Sequence, residues 1–231
     1  MREGVSTEAG GMRESVSAEA AEGAAAEDTT RERILRQASQ LFARKGYTGT
    51  STREIAGAVG VRQPSLFHHF ASKRQILETL LAYSVEEAAE HARRHADAEG
   101  PAAERLYGFV LEDTAFLCAS PYDLSGVHVT EIMQDEDFAY WHGRLEHLHE
   151  AIRDMVRQGI RSGEFVEVEP TFAQEMITAM NIVNIRRYSG RRPGSVEAVA
   201  RQSAGFALRA LLRDASRLPA ISARAMPDHP G

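Results

Sequence analysis

The sequence predicts an all-α protein in which a short three-helix unit precedes a larger helical region. Apolar residues recur at helical spacing in most segments, whereas the alternation that marks a half-buried strand is rare. The hydrophobic fraction is 43%, which is enough to build a packed core. Gly and Pro residues interrupt the apolar periodicity at intervals, so we expect short loops between the helices.

Three helix-start signals lie close together in the N-terminal third of the chain. Each pairs a Ser or Thr with a Glu or Gln three residues later, which is the spacing of a capping box: Thr29 with Glu32, Ser51 with Glu54, and Ser72 with Gln75. Gly46 and Gly60 supply stops for the first two helices, and Pro64 suits the first turn of the third. The spacing therefore predicts helices from Thr29, from Ser51 and near Gln63, and a fourth from Ser72 to about Ala96.

The first three predicted helices each bury an apolar stripe, and the third has a polar outer face. The inward residues are Ile34, Ala38, Leu41 and Phe42 in the first helix, Ile55, Ala56 and Val59 in the second, and Leu66, Phe67 and Phe70 in the third. A helix, a Gly-containing turn and a second helix with a polar outer face form the pattern of a helix-turn-helix. Such a unit places its second helix in the major groove of DNA.

Charge is distributed unevenly along the chain. Residues 29–75 hold nine Lys or Arg against two Asp or Glu, a net charge of +7, although the whole chain carries −6. Residues 1–28 and 76–231 carry net charges of −5 and −8. The acidic whole-chain balance would argue against a nucleic-acid partner. Positive charge concentrated on a helix-turn-helix nevertheless indicates double-stranded DNA as a partner.

The helical pattern continues to the C-terminal end, and we divide the chain accordingly. The predicted parts are a disordered tail at 1–28 (a helical Ala/Glu extension is the minor alternative), a helix-turn-helix DNA-binding domain at 29–75, a helical ligand-binding and dimerisation domain at 76–218, and a flexible tail at 219–231. The later helices are expected at about 102–119, 123–134, 136–162, 170–189 and 195–216.

Several classes of protein are disfavoured by what the sequence lacks. Cys118 is the single cysteine, so neither an intrachain disulfide nor a Cys-rich metal site is expected. No apolar run reaches the length of a membrane span and no leader pattern is present, so we expect a cytoplasmic protein. Neither a P-loop, a dinucleotide-binding Gly-rich loop, a nucleophile elbow nor an HExxH motif occurs, so we expect no enzyme and no cofactor.

The N-terminal end of the third predicted helix holds the candidates for reading bases. The amide of Gln63 has the donor and acceptor needed for a bidentate pair with adenine. Arg62, which precedes the helix, could reach a guanine or a phosphate, and Pro64 offers apolar contact to a thymine methyl group. We therefore predict that these three residues carry sequence preference.

A second group of residues suits the DNA backbone. Thr52 and Arg53 lie at the start of the second predicted helix, where the hydroxyl, the backbone N–H groups and the helix dipole together favour a phosphate. Ser65 and His68 lie on the outer face of the third helix, within reach of bases or phosphates. These four residues complete the set that helix geometry alone predicts.

Residues 29–80 resemble the TetR family of tetracycline-repressor-like regulators. The motifs that carry the resemblance are Ala38-x-x-Leu41-Phe42-x-x-x-Gly46-Tyr47, Thr50-x-Thr52-x-x-Ile55-Ala56, Gly60-Val61, Leu66-Phe67-His68-His69-Phe70 and Ser72-Lys73. The resemblance adds His69 and Lys73 as phosphate contacts. One position departs from the pattern, because family members often have Tyr where this chain has Phe67, and we expect Phe67 to pack in the core instead.

The resemblance also implies an architecture and a mode of action. It implies a homodimer whose two recognition helices read the halves of a palindromic operator, with a small-molecule effector in the larger domain controlling their spacing. The family's dimer interface corresponds here to the last two predicted helices, about 170–189 and 195–216. Repression relieved by the effector is the expected activity, and activation stays open.

The segments 127–149 and 176–188 of the larger region are the main candidates for the effector pocket, with two aromatic residues that precede them. A pocket for a small molecule is mostly apolar with a few placed polar groups. The predicted walls are Phe109, Phe116, Trp141, Met176 and Met180, and the predicted polar groups are His128, His142, Asn181 and Asn184. The alternative is that these aromatic and Met residues form ordinary core and that the Asn residues belong to the dimer interface.

Other readings of the sequence remain open at this point. His91 and His95, or His142 with Glu146 and His149, share a helical face and could hold a metal ion, although neither set has a specific metal signature. The alternative functions are a dimeric helical scaffold, or an enzyme in which the helix-turn-helix is structural. The concentrated positive charge favours the regulator over both.

Overall fold

The computed structural model describes residues 28–127, 136–191 and 194–225 and confirms the all-α class. The helices are α1 Thr30–Lys45, α2 Thr52–Val59, α3 Gln63–His69, α4 Lys73–Leu81, α5 Glu87–Asp97, α6 Ala102–Ala119, α7 Ala139–Arg161, α8 Pro170–Arg191, α9 Val196–Leu211 and α10 Leu218–Ala225. Short 3₁₀ turns lie at Leu124–Gly126, Glu136–Phe138 and Ala215–Arg217. The predicted N-terminal tail, apart from Asp28, lies outside the described residues.

The first two capping boxes form as predicted. The Thr29 hydroxyl accepts a hydrogen bond from the Glu32 amide at 3.2 Å, and the Glu32 carboxylate accepts one from the Thr29 amide at 2.8 Å. Ser51 and Glu54 repeat this exchange at the start of α2. Lys45 and the hydrogen bonds from Ser51 lower the pKa of Glu54 to about 2, so this carboxylate stays charged while it caps the helix.

The long helix predicted from Ser72 to about Ala96 contains a π-helical turn. The Ser72 hydroxyl caps α4, but the Gln75 side chain accepts from the Ala71 amide instead of completing the box. After α4 the chain forms one π turn at Ala82–Glu86 and continues as α5. A π turn inserts an extra residue into a helix and so rotates the face that follows it.

This interrupted helix joins two apolar clusters. The N-terminal cluster contains the inner residues of α1 to α4 together with side chains from later in the chain, namely Leu117, Leu124, Val127, Phe138, Trp141 and Ile185. The second cluster lies around α6, which packs on α5, α7, α8, α9 and α10. Because the first cluster draws on both regions, the N-terminal unit has no separate core that ends at residue 75.

The junction between the two regions is a close backbone contact. At Gly126 the 3₁₀ turn packs directly on α1, where a Cβ atom would lie 2.4 Å from the Phe42 carbonyl carbon and the Ala43 nitrogen. Beside it, the Asp123 amide donates a hydrogen bond to the Ser39 hydroxyl at 3.0 Å. Because a Cβ atom would clash with the α1 backbone, only glycine fits at position 126. The larger domain and the N-terminal unit are thus in direct contact at α1.

The structure corrects three predictions about the C-terminal half. A helix was expected at 123–134, but residues 124–126 form a 3₁₀ turn, and 128–134 lie outside the described residues. The last long helix ends at Leu211 rather than near 216, because residues 211–213 pair with the segment at 164–166. The expectation of a flexible tail from 219 is wrong for residues 219–225. Leu218 and Ile221 are buried against α6, and α10 forms there.

Candidate DNA-contacting surface and effector pocket

The starts of α2 and α3 lie side by side and bring the predicted DNA contacts together. The Gln63 side-chain amide donates a hydrogen bond to the Thr52 hydroxyl oxygen at 2.9 Å. Arg53, Arg62 and Pro64 are exposed around this pair. The two helix starts, which carry the predicted base and phosphate contacts, thus lie on one surface.

The hydrogen bond between Gln63 and Thr52 leaves further donors and acceptors on both side chains. One of the two amide N–H donors of Gln63 is used, so the other donor and the amide oxygen are chemically sufficient for a bidentate pair with adenine. The Thr52 oxygen accepts this bond, so its own hydrogen is directed elsewhere and could be donated to a phosphate oxygen. The contact therefore orients two predicted DNA-binding groups without consuming either.

Phe67 lies on this surface, contrary to the expectation that it packs in the core. Its side chain is 44% exposed, whereas Phe70 is 1% exposed and belongs to the N-terminal cluster. On the same short helix, His68 and His69 are exposed, Ser65 is half-buried and Leu66 is fully buried. One buried position per turn anchors α3, so the helix leaves Phe67 outward beside the candidate base readers.

Lys73, at the start of α4, holds the connection between α1 and α2. Its ammonium group donates to the Tyr47 and Thr50 carbonyl oxygens at 2.7 and 2.8 Å and lies 4.2 Å from the centre of the Tyr47 ring. Burial lowers the pKa of Lys73. Two of its three N–H donors serve the fold, so one remains for the phosphate contact that the resemblance implies.

An apolar cavity of about 50 Å³ lies between α5, α6, α7 and α8. Two of the predicted pocket residues, Phe109 and Asn181, line it. Its walls also include Val85, Leu117 and Ile185, which belong to the N-terminal cluster. The cavity therefore shares a wall with the core that supports α1 and α4.

The other predicted pocket residues lie elsewhere. Phe116 stacks on Tyr83 with ring centres 5.0 Å apart, and Trp141 packs in the N-terminal cluster. His142 is partly buried on α7, and His128 lies outside the described residues. These placements do not bring the residues into the cavity.

The predicted pocket residues of α8 take two different positions. Met176 and Met180 line an apolar groove of about 130 Å³ formed with α9, and Met176 is half exposed. The Asn184 amide donates to the Ser203 hydroxyl of α9 at 2.8 Å. Both Met residues and Asn184 thus lie at the face shared by the last two long helices.

The sequence interpretation missed Asp113, which is the acidic residue of the cavity. Phe109, Asp113 and Leu117 are four residues apart on α6, so all three face the cavity. The spacing contained a usable signal, because a carboxylate in register with an inward apolar stripe needs a partner or a function. Asp113 is 3% exposed.

A short chain of hydrogen bonds surrounds this carboxylate. The Asn181 amide donates to Asp113 Oδ2 at 2.8 Å, and the Asn181 oxygen accepts from the Thr114 hydroxyl at 2.7 Å. His91 Nδ1 lies 3.5 Å from Asp113 Oδ1, close enough for an ion pair, and neither atom has another polar partner within the described residues. Burial raises the pKa of Asp113.

A metal site and a membrane span are two further possibilities for the described helices. No cluster of three or more His, Cys, Asp or Glu side chains among these residues is placed to hold a metal ion. The helices in the same ranges are all too short or too polar to cross a membrane. The His91 and His95 side chains instead pair with carboxylates of α6.

The sequence and the fold are both similar to those of known bacterial regulatory proteins. The family described as "Bacterial regulatory proteins, tetR family" matches residues 34–80. The repressor KstR2 of Mycobacterium tuberculosis is 26% identical over 196 residues, which span 81% of this chain and 95% of that protein. The structure of AibR, solved with isovaleryl coenzyme A and operator DNA, shares the fold at 22% identity and a TM-score of 0.61, over 77% of this chain and 97% of that one.

A fourth comparison covers nearly the whole molecule at higher identity. The structure of Mycobacterium smegmatis AmtR is 33% identical, with a TM-score of 0.70, and the match covers 87% of this chain and 96% of that chain. The match thus extends through the helical region that the sequence motifs left unassigned. Together with the helix-turn-helix at residues 34–80, it makes this chain a member of the TetR family of bacterial regulatory proteins.

Proposed function

We propose that this protein is a transcriptional repressor that binds a palindromic operator as a homodimer and is released by a small-molecule effector. The observation that carries the proposal is the exposed surface at the starts of α2 and α3, where Gln63 is oriented by Thr52. The net charge of +7 on residues 29–75 supports DNA as the partner. The name of KstR2 as a transcriptional repressor supports the direction of regulation.

The exposed apolar side chains of α8 and α9 support the homodimer. Phe172, Met176, Val183 and Phe206 are between 50% and 70% exposed, although each is large and apolar. Apolar side chains grouped on one face of a protein mark an interaction surface. A second copy of the chain would cover this face and fix the distance between the two α3 helices, as a palindrome requires.

The shared wall between the cavity and the N-terminal cluster supports control by an effector. A ligand that widened the cavity would press on Val85 and Leu117, which also pack in the core beneath α1 and α4. DNA and effector would then favour different arrangements of the two regions, and each would weaken binding of the other by the same factor. An effector-bound protein that kept full operator affinity would contradict this mechanism.

Selection from a random DNA pool at about 150 mM salt tests the proposal, because non-specific charge binding is weak at that ionic strength. We expect enrichment of a palindrome whose half-sites are about one helical turn apart or slightly more. Salt-sensitive binding without enrichment would instead favour the scaffold reading. The selected palindrome then serves as the probe for variants.

The variant Gln63→Ala sharpens the test. We expect it to lower operator affinity by roughly 1–3 kcal/mol and to relax the preference at one base position. Gln37→Ala, which removes the same kind of side chain from α1, is the matched control and should leave the base preference unchanged. Equal losses on every sequence would mean that Gln63 does not read a base.

A further inference from the structure

Part of the positive charge of the N-terminal unit is exposed and unpaired within the described residues. Arg44, Arg53 and Arg62 are exposed, and none of them has a hydrogen bond or an ion pair with another described residue. Arg53 and Arg62 lie beside the starts of α2 and α3. A net charge of +7 on so short a unit repels itself, so a negatively charged partner on this surface is favourable even before DNA binds.

The chain itself carries such a partner directly before this unit. The acidic segment, residues 1–27, holds six Glu against two Arg and contains neither Leu, Ile nor an aromatic residue. Its attraction to another part of the protein is therefore electrostatic rather than hydrophobic. The next residue, Asp28, already pairs with two guanidinium nitrogens of Arg36 on α1.

The acidic segment joins the fold close to α3. At the start of α1, the Arg31 guanidinium carbon lies 4.9 Å from the centre of the Phe70 ring, at the end of α3. Arg33 donates to the Val59 carbonyl oxygen, at the end of α2, at 2.6 Å. A segment of 27 residues spans at most about 90 Å when extended, whereas the seven residues of α3 are about 10 Å long. The segment is thus long enough to reach all of α3.

Charge directs the acidic segment to the N-terminal unit rather than to the larger domain. Residues 76–231 carry a net charge of −8 and repel an acidic segment. Arg93 and Arg157, two surface cations of that domain, each pair with two carboxylates of their own helix. The exposed arginines beside α2 and α3 are in contrast available for pairing.

We propose that the acidic segment binds the DNA-contacting surface of the free protein and competes there with the phosphates of the operator. This rests on the proposed function for the identity of the competitor. A ligand tethered in the same chain has an effective concentration on the order of millimolar, so a few weak ion pairs suffice to occupy the surface. DNA binds once the segment leaves, so the segment weakens binding to every DNA sequence by the same factor.

The contact itself is tested on the full-length protein without DNA. A nitroxide spin label is attached to the variant Ser15→Cys. Cys118 is buried and burial raises the pKa of its thiol to about 11, so the label reacts at position 15. We expect the label to broaden the amide NMR signals of α3 but not those of α9. At about 1 M salt, where the Debye length is ~3 Å, this broadening should disappear. No broadening, or equal broadening of both helices, would overturn the contact.

The competition is tested with a full-length variant in which all six carboxylates are replaced by amides of the same size. It carries Glu→Gln at Glu3, Glu8, Glu14, Glu19, Glu22 and Glu27. At about 150 mM salt we expect it to bind the selected palindrome and a scrambled duplex about fivefold more tightly than the unaltered protein. The gain should shrink as salt rises, because screening weakens the contact that the variant removes. Unchanged or weaker binding contradicts the competition.

A variant of the opposite sign is the matched control. Arg2→Gln combined with Arg13→Gln makes the acidic segment more negative without changing its length. It should bind both duplexes less tightly than the unaltered protein. A change in the same direction as the Glu→Gln variant would show that the charge of the segment does not set the effect, and would refute the proposal.

The two measurements separate this proposal from the proposed function. A protein that binds its palindrome but shows no broadening of α3 refutes the contact and leaves the regulator intact. Tighter DNA binding by the Glu→Gln variant without broadening would mean that the segment only repels DNA, which also refutes the contact. Broadening of α3 in a protein that selects no palindrome would support the contact and refute the regulator.

Discussion

The N-terminal unit and the larger domain differ in how completely the hydrogen-bonding atoms of their buried side chains are paired. In the first, the buried hydroxyls of Ser39 and Thr50 donate to backbone carbonyls at 2.9 and 2.8 Å. In the second, buried side-chain atoms without a hydrogen-bond partner occur in His91, Arg105, Asp113, His142, Arg144 and His149. Within the described residues, the unit that would bind DNA is satisfied by folding alone, whereas the domain that would sense a ligand is not.

This difference affects what each region can gain from a ligand or a rearrangement. A polar group that is fully paired gains nothing further when the protein changes shape, while an unpaired one can gain a bond from a ligand or from a rearrangement. The polar groups of the N-terminal unit that could bind a partner lie on its surface around α3. Substitutions in each region test whether the two regions differ in this way.

The largest effect is expected from a pair of phenylalanines on one turn of the chain. Phe70→Ala should reduce the free energy of unfolding by about 3–5 kcal/mol, since the ring is fully buried and its loss leaves a cavity. Phe67→Ala should change it by less than about 0.5 kcal/mol and reduce operator affinity instead. Urea unfolding and operator titration of both variants measure the two effects. A similar loss of stability in both variants would mean that Phe67 packs in the core.

A smaller effect is expected at the contact between the two regions. Gly126→Ala places a Cβ atom 2.4 Å from the backbone of α1, so the turn or the helix must shift. Overpacking of this kind costs about 1–3 kcal/mol, which thermal unfolding would show. Operator affinity should fall as well, because α1 belongs to the N-terminal unit. Gly143→Ala, which has open space around it, is the control.

The smallest effect concerns the pH dependence of stability in the larger domain. Burial lowers the pKa of His91, but the neighbouring Asp113 and Glu112 carboxylates outweigh this effect and raise it overall. The folded protein therefore holds the proton of the His91 imidazolium more tightly than the unfolded chain does. The resulting stabilisation is fully present below the unfolded pKa of about 6.5 and is lost as pH rises through the folded value. The stability advantage over His91→Gln should therefore shrink between pH 6 and pH 9 in urea unfolding.

His149 provides a control of opposite sign. Burial lowers its pKa, so the unfolded chain takes up the proton first as pH falls below about 6.5. Relative to His149→Gln, the unaltered protein should lose stability on acidification. The same direction of change in both variants would mean that His91 is not held by the Asp113 carboxylate.

The sequence predicted the N-terminal unit well because its signals are local. The capping boxes at Thr29 and Ser51 and the stops at Gly46 and Gly60 lie within a few residues of the backbone groups they serve. The exposure of Phe67 was missed because helical spacing alone does not tell which of two adjacent apolar residues, Leu66 or Phe67, is inward. That choice depends on how α3 packs on its neighbours.

The pocket was predicted only in part because it depends on contacts between distant segments. Asp113 and Asn181 are 68 residues apart, and their hydrogen bond follows from the packing of α6 against α8. Both Phe109 and Asn181 could be predicted from helical spacing. Phe109 belongs to an apolar stripe, and Asn181 is a polar residue that interrupts one. Met176 and Met180 share that spacing but face α9, and a periodic pattern does not say which neighbour a helix face will meet.

At the π turn Ala82–Glu86, the number of residues matters more than which side chains they carry. Leu77, Leu80 and Leu81 of α4 pack in the N-terminal cluster, whereas Ala88 and Ala92 of α5 pack in the other. Each residue of an α-helix turns the chain by about 100°, so the extra residue sets the angular phase between these two stripes. Deleting one residue here would bring one stripe out of register with its core. Many side chains should be tolerated in this segment, but a change in its length should not.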